Sequence, residues 1–325
     1  MPKVLVTGGA GFIGSNIADL LLEKGYEVIV LDNLSTGSRR NVDKNVKLYV
    51  KDICKADIRS VFQKERPDYV VHEAAQINVR TSVSDPAFDA KVNILGSINV
   101  LECCKDYKVK KVVYASSGGA IYGEPVRLPA DENHPIRPLC PYGASKYSVE
   151  NYLNIYRKNY GLDYVALRYA NVYGPRQDPL GEAGVIAIFM NKLSQGEKPT
   201  IYGDGGQTRD FVYVGDVARA NLLALEKETG GTEYNIGTGV ETSVNQLYCK
   251  LQKVFSTDIS AAHAAAVPGE VRRICLDNSL AKKDLSWKPE VDLAAGLEKT
   301  HDWFKTTSAV KAGSKTAKLR GPKNS

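Results

Sequence analysis

The sequence predicts a doubly wound parallel α/β sheet carrying a smaller C-terminal lobe, and three observations predict it. Short apolar, β-branched runs alternate with longer helical patterns over the first two-thirds of the chain, as in a parallel sheet covered by helices on both faces. At 325 residues the chain exceeds what one hydrophobic core usually serves. After Asn171 the alternation loosens, and Gly and Pro gather at Gly174-Pro175, Pro179, Gly181, Gly184 and Gly203–Gly206. The expected division is 1–170 for the sheet, with some later segments returning to it, 171–304 mainly for the lobe, and 305–325 as a tail. No linker-like stretch divides sheet from lobe.

In chain order, the expected strands are Lys3–Thr7, Glu27–Leu31, Val46–Val50, Tyr69–His72, Lys111–Ser116 and Tyr164–Arg168. Each is a short run of the residue types that fit a pleated, buried surface. Between them, helical patterns span Gly14–Lys24, Asp57–Glu65, Asp89–Tyr107 and Ala144–Tyr160. Val149, Tyr152, Tyr156 and Tyr160 recur at three- and four-residue steps, which reads as a core-facing stripe.

Charge and composition exclude several function classes. The formal net charge is +6, but Lys305, Lys311, Lys315, Lys318, Arg320 and Lys323 crowd the last segment with no acid among them. The rest is formally neutral, so no nucleic-acid partner is expected. Residues 305–325, poor in apolar side chains, read as a disordered tail. Six cysteines without a Cys-x-x-Cys pair or a histidine cluster suggest neither a metal site nor a disulfide framework. A reduced, cytoplasmic setting is expected. No apolar run reaches the ~18 residues that a membrane span requires, so no membrane is expected.

The first strand runs into Gly8-Gly-Ala-Gly11-Phe12-Ile13-Gly14 and then an amphipathic helix. Such glycines permit a tight turn, let backbone N–H groups approach a pyrophosphate, and let helix pack on strand. The helix N-terminus adds partial positive charge. Asp32 ends the second strand, where a carboxylate accepts hydrogen bonds from ribose hydroxyls and repels a 2′-phosphate. A Rossmann-type dinucleotide site selecting NAD over NADP is the expectation.

Two Tyr-x-x-x-Lys pairs could place a phenol and an ammonium on one helical face. Tyr107 and Lys111 fall at the amino end of the fifth strand, whereas open α/β sheets bind ligands at the carboxyl ends. Tyr142 and Lys146 follow the loop that leaves the carboxyl end of that strand, beside Ser116 and Ser117. The first pair is therefore expected to be structural and the second chemical.

Gly8–Gly14, Asp32–Gly37, His72-Glu-Ala-Ala-Gln76, Ser116-Ser117, Tyr142-Gly-Ala-Ser-Lys146 and Arg168-Tyr-Ala-Asn-Val-Tyr-Gly-Pro175 stand in one order. Gln207-Thr-Arg-Asp-Phe-Val-Tyr-Val-Gly-Asp216 and Asn235-Ile-Gly-Thr-Gly239 follow. This series resembles the extended short-chain dehydrogenases/reductases over about residues 2–304, and within them the UDP-hexose 4-epimerases.

The resemblance implies NAD as cofactor and a UDP-sugar as substrate, with UDP-glucose and UDP-galactose interconverted through a 4-keto intermediate. It makes Tyr142 the base, aided by Lys146 and Ser117, with Ser117 preferred to Ser116. A free phenol has a pKa near ~10, so action near neutrality asks for roughly 4 kcal/mol of phenolate stabilisation. Lys146 and the cationic nicotinamide ring would supply it. Ser117 would also hydrogen-bond the sugar oxygen.

Carried over residue by residue, Gly8, Gly11, Phe12, Ile13 and Gly14 would hold the pyrophosphate, and Asp32, Asn33, Ser35, Thr36 and Gly37 the adenosine. Asp52 and Ile53 would meet the adenine, with an alternative role for Asp52 as a helix cap. Ala74, Ala75, Gln76, Asn93 and Ala170 would line the ribose and nicotinamide side. Asn171, Val185, Thr200, Tyr202, Arg209 and Ile274 would contact the nucleotide-sugar, with Arg272 or Arg273 adding a second phosphate contact. A medium side chain at Ile274 would admit an N-acetyl group on C2. The resemblance also implies a homodimer built on Asp89–Tyr107 and the helix after Tyr142.

The segment Ser116-Ser-Gly-Gly-Ala-Ile-Tyr122-Gly departs from the family by a double glycine, one residue longer than many members carry. Gly118-Gly119 hold no carboxylate, which argues against the family's 4,6-dehydratases. Other readings are a UDP-N-acetylhexosamine or UDP-uronate 4-epimerase, a decarboxylase, or a non-catalytic NAD sensor. The presence of Ser117, Tyr142 and Lys146 together disfavours the last.

Overall fold

The computed structural model describes residues 1–179, 184–266 and 271–318. Gly181 and the Pro268-Gly-Glu270 start of the arginine segment lie outside those residues. The strands are β1 (Lys3–Thr7), β2 (Glu27–Asp32), β3 (Lys47–Val50), β4 (Tyr69–His72), β5 (Lys111–Ser117) and β6 (Asp163–Tyr169). Then come β7 (Asn171–Tyr173), β8 (Thr200–Tyr202), β9 (Thr208–Tyr213), β10 (Thr232–Ile236), β11 (Glu241–Ser243) and β12 (Ala262–Ala264). The first helices are α1 (Phe12–Glu23), α2 (Arg59–Glu65), α3 (Val79–Ser84), α4 (Pro86–Ala90), α5 (Gly96–Asp106) and α6 (Gly118–Ile121). The later ones are α7 (Pro141–Tyr160), α8 (Val185–Ser194), α9 (Val214–Glu226), α10 (Val244–Phe255), α11 (Ser279–Asp284) and α12 (Leu293–Lys318).

Seven parallel strands form the main sheet, in the order β10-β6-β5-β4-β1-β2-β3. All six strands expected from sequence are in it. The seventh, β10, returns from within the stretch expected to belong mainly to the lobe. One face buries Val4, Val6, Val71, Val113 and Val165 against Ile17 and Leu21 of α1 and Val217 and Leu225 of α9. The other buries Leu5, Ile29, Val70, Val112 and Tyr114 against α2, α5 and α7. Strands buried on both faces explain the near-continuous apolar runs.

Helix α7 begins three residues earlier than its periodicity indicates, because Pro141 fits the first helical turn without needing a donor. It ends where Gly161 takes up φ +71°. Its stripe runs out at the last turn: Val149 and Tyr156 are buried, but Tyr160 is exposed. The pattern over Asp89–Tyr107 is not one helix. Between α4 and α5 the chain takes a π-helical turn, Lys91–Leu95, which turns Asn93 inward.

The lobe packs Phe189, Met190, Phe211, Leu247, Leu251 and Leu297 from α8, β9, α10 and α12 into its own core. Asp210, buried in β9, accepts from the backbone N–H groups of Thr238, Gly239 and Leu276 and so pins three segments together. Helix α12 carries the chain past residue 304 to Lys318, where the sequence suggested a disordered tail; residues 319–325 lie outside the description. Among the described residues no helix is long and apolar enough to cross a membrane.

Candidate active site

The glycine turn follows β1. Gly8 has φ +67°, and a Cβ there would stand 2.6 Å from the Ala74 nitrogen. A Cβ on Gly14 would stand 2.4 Å from the Gly8 carbonyl oxygen, so helix and turn touch backbone to backbone. Gly11 differs, because a Cβ there would meet only the Gly8 oxygen, at 3.1 Å. Helix α1 has no side-chain cap, which leaves the N–H groups around Phe12 and Ile13 for an anion. This bare turn is a cradle that side chains would fill, and a pyrophosphate fits its chemistry.

The Asp32 carboxylate accepts from Ala10 N–H at 2.9 Å and from Leu34 N–H at 2.7 Å. It therefore ties the turn to the loop Asn33, Ser35, Thr36 and Gly37. That loop folds back closely, since a Cβ on Gly37 would lie 2.9 Å from the Ala10 carbonyl carbon. Asn33, Ser35 and Thr36 are exposed on it. Asp52 accepts from Cys54 N–H at 2.8 Å, a local turn rather than the helix cap suggested as its alternative. Ile53 is buried beneath Gly96.

After β4, Ala74, Ala75 and Gln76 are half-buried. Gln76 and Asn93 exchange hydrogen bonds of 2.8 and 2.9 Å, and both donate to the buried Asp89 carboxylate. Ser145 of α7 donates to the other Asp89 oxygen at 2.6 Å. His72 is held between Thr7 and Ser97, and burial lowers its pKa to about 3. It is a neutral structural residue at physiological pH.

Tyr142 and Lys146 lie one turn apart on α7, beside the end of β5. The Ser117 hydroxyl hydrogen-bonds Tyr142 and favours its phenolate, but burial is the larger effect and raises the phenol pKa. The Lys146 ammonium donates to the Ala115 carbonyl at 2.8 Å and lies 5.8 Å from the Tyr142 ring centroid. Burial brings its pKa down to about 8, against the pull of Glu73, Asp89 and Glu150. Ser116 is committed elsewhere, donating to buried Glu150 at 2.6 Å, and Glu150 in turn pairs with Arg168 at 2.7 Å. The first tyrosine–lysine pair is structural, as expected: Tyr107 stacks on Phe62, and Lys111 donates to the carbonyls of Ala224 and Lys227.

In the lobe, Asn171 begins β7 beside Gly119, and Ala170 donates to the Ile236 carbonyl. Val185 begins α8, and Thr200 and Tyr202 expose their side chains on β8. Arg209 lies on β9, and the adjacent Thr208 N–H donates to the Arg272 carbonyl, so both arginines come from paired backbone. Arg272 forms a two-pronged pair with Asp204, each contact 2.8 Å, while Arg273 pairs with Glu241. Ile274 is 2% exposed and packs among Ile121, Tyr122 and Leu276. The structure thus keeps it beneath the surface rather than on an open wall.

Glu73, Asp89, Ser145 and Glu150 surround this centre and were not singled out from sequence. Glu150 had a usable signal, standing four residues after Lys146 on the same helical face.

Residues 4–237 match the model of the NAD dependent epimerase/dehydratase family. The chain is 44% identical over 313 residues to a UDP-glucose 4-epimerase of Mycolicibacterium smegmatis, with 94% of this chain and 99% of that one covered. It also resembles the crystal structure of a Thermotoga maritima UDP-glucose 4-epimerase with UDP-glucose, at a TM-score of 0.92 and 49% identity over 94% and 99% of the two chains. A Thermus thermophilus UDP-glucose 4-epimerase in complex with NAD gives a TM-score of 0.89 and 46% identity over 93% and 99%. With its family match over residues 4–237 and these relatives covered almost end to end, the chain belongs to the NAD-dependent epimerase/dehydratase family.

Proposed function

We propose that the protein is an NAD-dependent UDP-hexose 4-epimerase that interconverts UDP-glucose and UDP-galactose through a 4-keto intermediate. The observation that carries this is the Ser117–Tyr142–Lys146 cluster, at the same carboxyl edge of the sheet as the glycine cradle. Tyr142 takes the proton from the sugar 4-hydroxyl, and Ser117 hydrogen-bonds the same oxygen as the carbonyl develops. Lys146 stands 5.8 Å from the Tyr142 ring centroid, and a positive charge there favours phenolate. NAD, when bound in the glycine cradle, would supply a reversible hydride acceptor for C4 of the sugar.

The keto sugar must turn over while its nucleotide stays held, so the grip belongs on the diphosphate and uridine. Arg209 and Arg272 supply it, with Arg272 exchanging the Asp204 carboxylate for phosphate oxygens of similar geometry. Asn171, Val185, Thr200 and Tyr202 complete the pocket. Pairing of two chains would cover Val79, Val83, Phe88 and Leu95 together with Ile155 of α7, all exposed here. The free cysteines, several of them buried, favour a reducing compartment such as the cytoplasm.

The test is incubation of the purified protein with UDP-galactose, without added NAD, with UDP-glucose followed by chromatography. An equilibrium mixture is expected, with Tyr142→Phe at least ~100-fold slower. No conversion even with added NAD sinks the UDP-hexose reading and turns attention to uronic-acid and N-acetylated UDP-sugars.

A further inference from the structure

Sheet order constrains how a dinucleotide lies on this chain. The carboxyl ends stand in the sequence β6, β5, β4, β1, β2. The glycine turn follows β1 and Asp32 ends β2, whereas Ser117 ends β5, with Tyr142 and Lys146 beside it. A molecule held by the first pair of strands and reacting at β5 must cross the end of β4, because neighbouring strands are only about 4.8 Å apart. The residue that follows β4 is Glu73, which the reaction as described leaves without a role.

Both its backbone and its side chain are held by neighbours. A Cβ on Gly8 would lie 2.9 Å from the Glu73 carbonyl carbon, so its backbone abuts the phosphate cradle. Its side chain reaches the other way, over the end of β5, to accept from the Tyr169 hydroxyl at 2.8 Å. That hydroxyl is fixed in turn by Asn221 of α9, also at 2.8 Å. A carboxyl is thus fastened across the path between cradle and base. The nicotinamide ring is cationic when oxidised and neutral when reduced, so a fixed anion near its path discriminates between the two forms.

We propose that Glu73 is the counter-charge that biases this chain toward the oxidised dinucleotide. The inference rests on NAD as cofactor and on Tyr142 as the reacting end, and not on which sugar is turned over.

The titratable groups facing Glu73 are Tyr142 and Lys146 of α7, Tyr114 of β5 and Tyr169 of β6. Lys146 and the Tyr169 hydroxyl favour its carboxylate, but burial outweighs them and raises its pKa to about 7. Raised in this way, the carboxyl gains charge as pH rises through neutrality, so the bias strengthens toward higher pH.

The full-length protein is equilibrated with NAD⁺ and NADH mixtures of known ratio. The bound ratio is then read by NADH fluorescence and by extraction after desalting. Wild type should favour NAD⁺ by about tenfold more at pH 8 than at pH 6, a modest charge–charge effect. At pH 8, Glu73→Gln should favour NAD⁺ about tenfold less than wild type, and Glu73→Asp should stay near wild type. A ratio in Glu73→Gln equal to wild type at pH 8, or one lost equally in Glu73→Asp, overturns the proposal. Should Glu73→Gln fail to fold, Glu73→Ala is read in its place, and a wild-type ratio at pH 8 does the same. No sugar enters the assay, so loss of the epimerase reading leaves this outcome interpretable.

Discussion

Glu150→Gln is the substitution that separates packing from chemistry most clearly. Glu150 stands one turn after Lys146 on α7, 3% exposed, and its carboxylate receives Arg168 at 3.0 and 2.7 Å and Ser116 at 2.6 Å. Arg168 is 4% exposed, and burial opposes its charge until the carboxylate overcomes that. An amide in place of the carboxylate keeps the volume but leaves the guanidinium buried without a counter-ion. One-sided breakage of a buried pair costs about 3–5 kcal/mol. Against a whole-protein stability of roughly 5–15 kcal/mol, this should bring the first urea transition to much lower denaturant. Glu150→Leu combined with Arg168→Met should recover part of the loss, a coupling of at least about 1 kcal/mol. A cost below about 1 kcal/mol, as for an exposed pair, would refute the reasoning. The second readout is kinetic. Ser116 released from Glu150 loosens the adjoining Ser117, so kcat should fall about tenfold with KM little changed, which is lost transition-state stabilisation. An unchanged kcat in a destabilised Glu150→Gln protein would remove Glu150 as a positioning residue.

The two glycines of the turn should part company. Gly14→Ala places a methyl 2.4 Å from backbone and should destabilise the fold, whereas Gly11→Ala should fold normally yet lose NAD affinity by isothermal titration. His72 stays neutral in the fold down to about pH 3, while the unfolded chain takes up its proton near ~6.5, so acid costs stability through this group. A His72→Gln protein lacks that loss, so its deficit against wild type should shrink by about 2 kcal/mol between pH 6.5 and 5, and a constant deficit would refute the neutral histidine. Arg209→Ala and Arg272→Ala should each raise KM for the UDP-sugar with NAD affinity unchanged; a fall in NAD affinity would move these residues to the cofactor end.

Much of this was legible because periodicity is local. The six expected strands, the glycine turn and the carboxylate at Asp32 are all read from neighbours in sequence. Position along the sheet also separated Tyr142 and Lys146 from Tyr107 and Lys111, and Lys111 is indeed consumed by backbone carbonyls at the far edge. What escaped is held by distant partners. Glu73 sits inside a motif that was read, yet its meaning comes from Tyr169, 96 residues on. The π-helical turn at Lys91–Leu95 leaves no mark in a helical pattern, so the convergence of Asn93, Gln76 and Ser145 on Asp89 was invisible. Choosing between Ser116 and Ser117 needed the partner of each hydroxyl, which spacing cannot supply.

The return of β10 to the sheet governs how this chain can be made. Until residue 236 has emerged, β6 has no neighbour on its outer side, and Val165, Leu167 and Tyr169 border an open row of backbone donors and acceptors. A nascent or truncated chain ending near residue 170 therefore displays an apolar, unpaired edge, the kind of surface on which identical chains pair with one another. A fragment cut there should therefore aggregate rather than carry NAD.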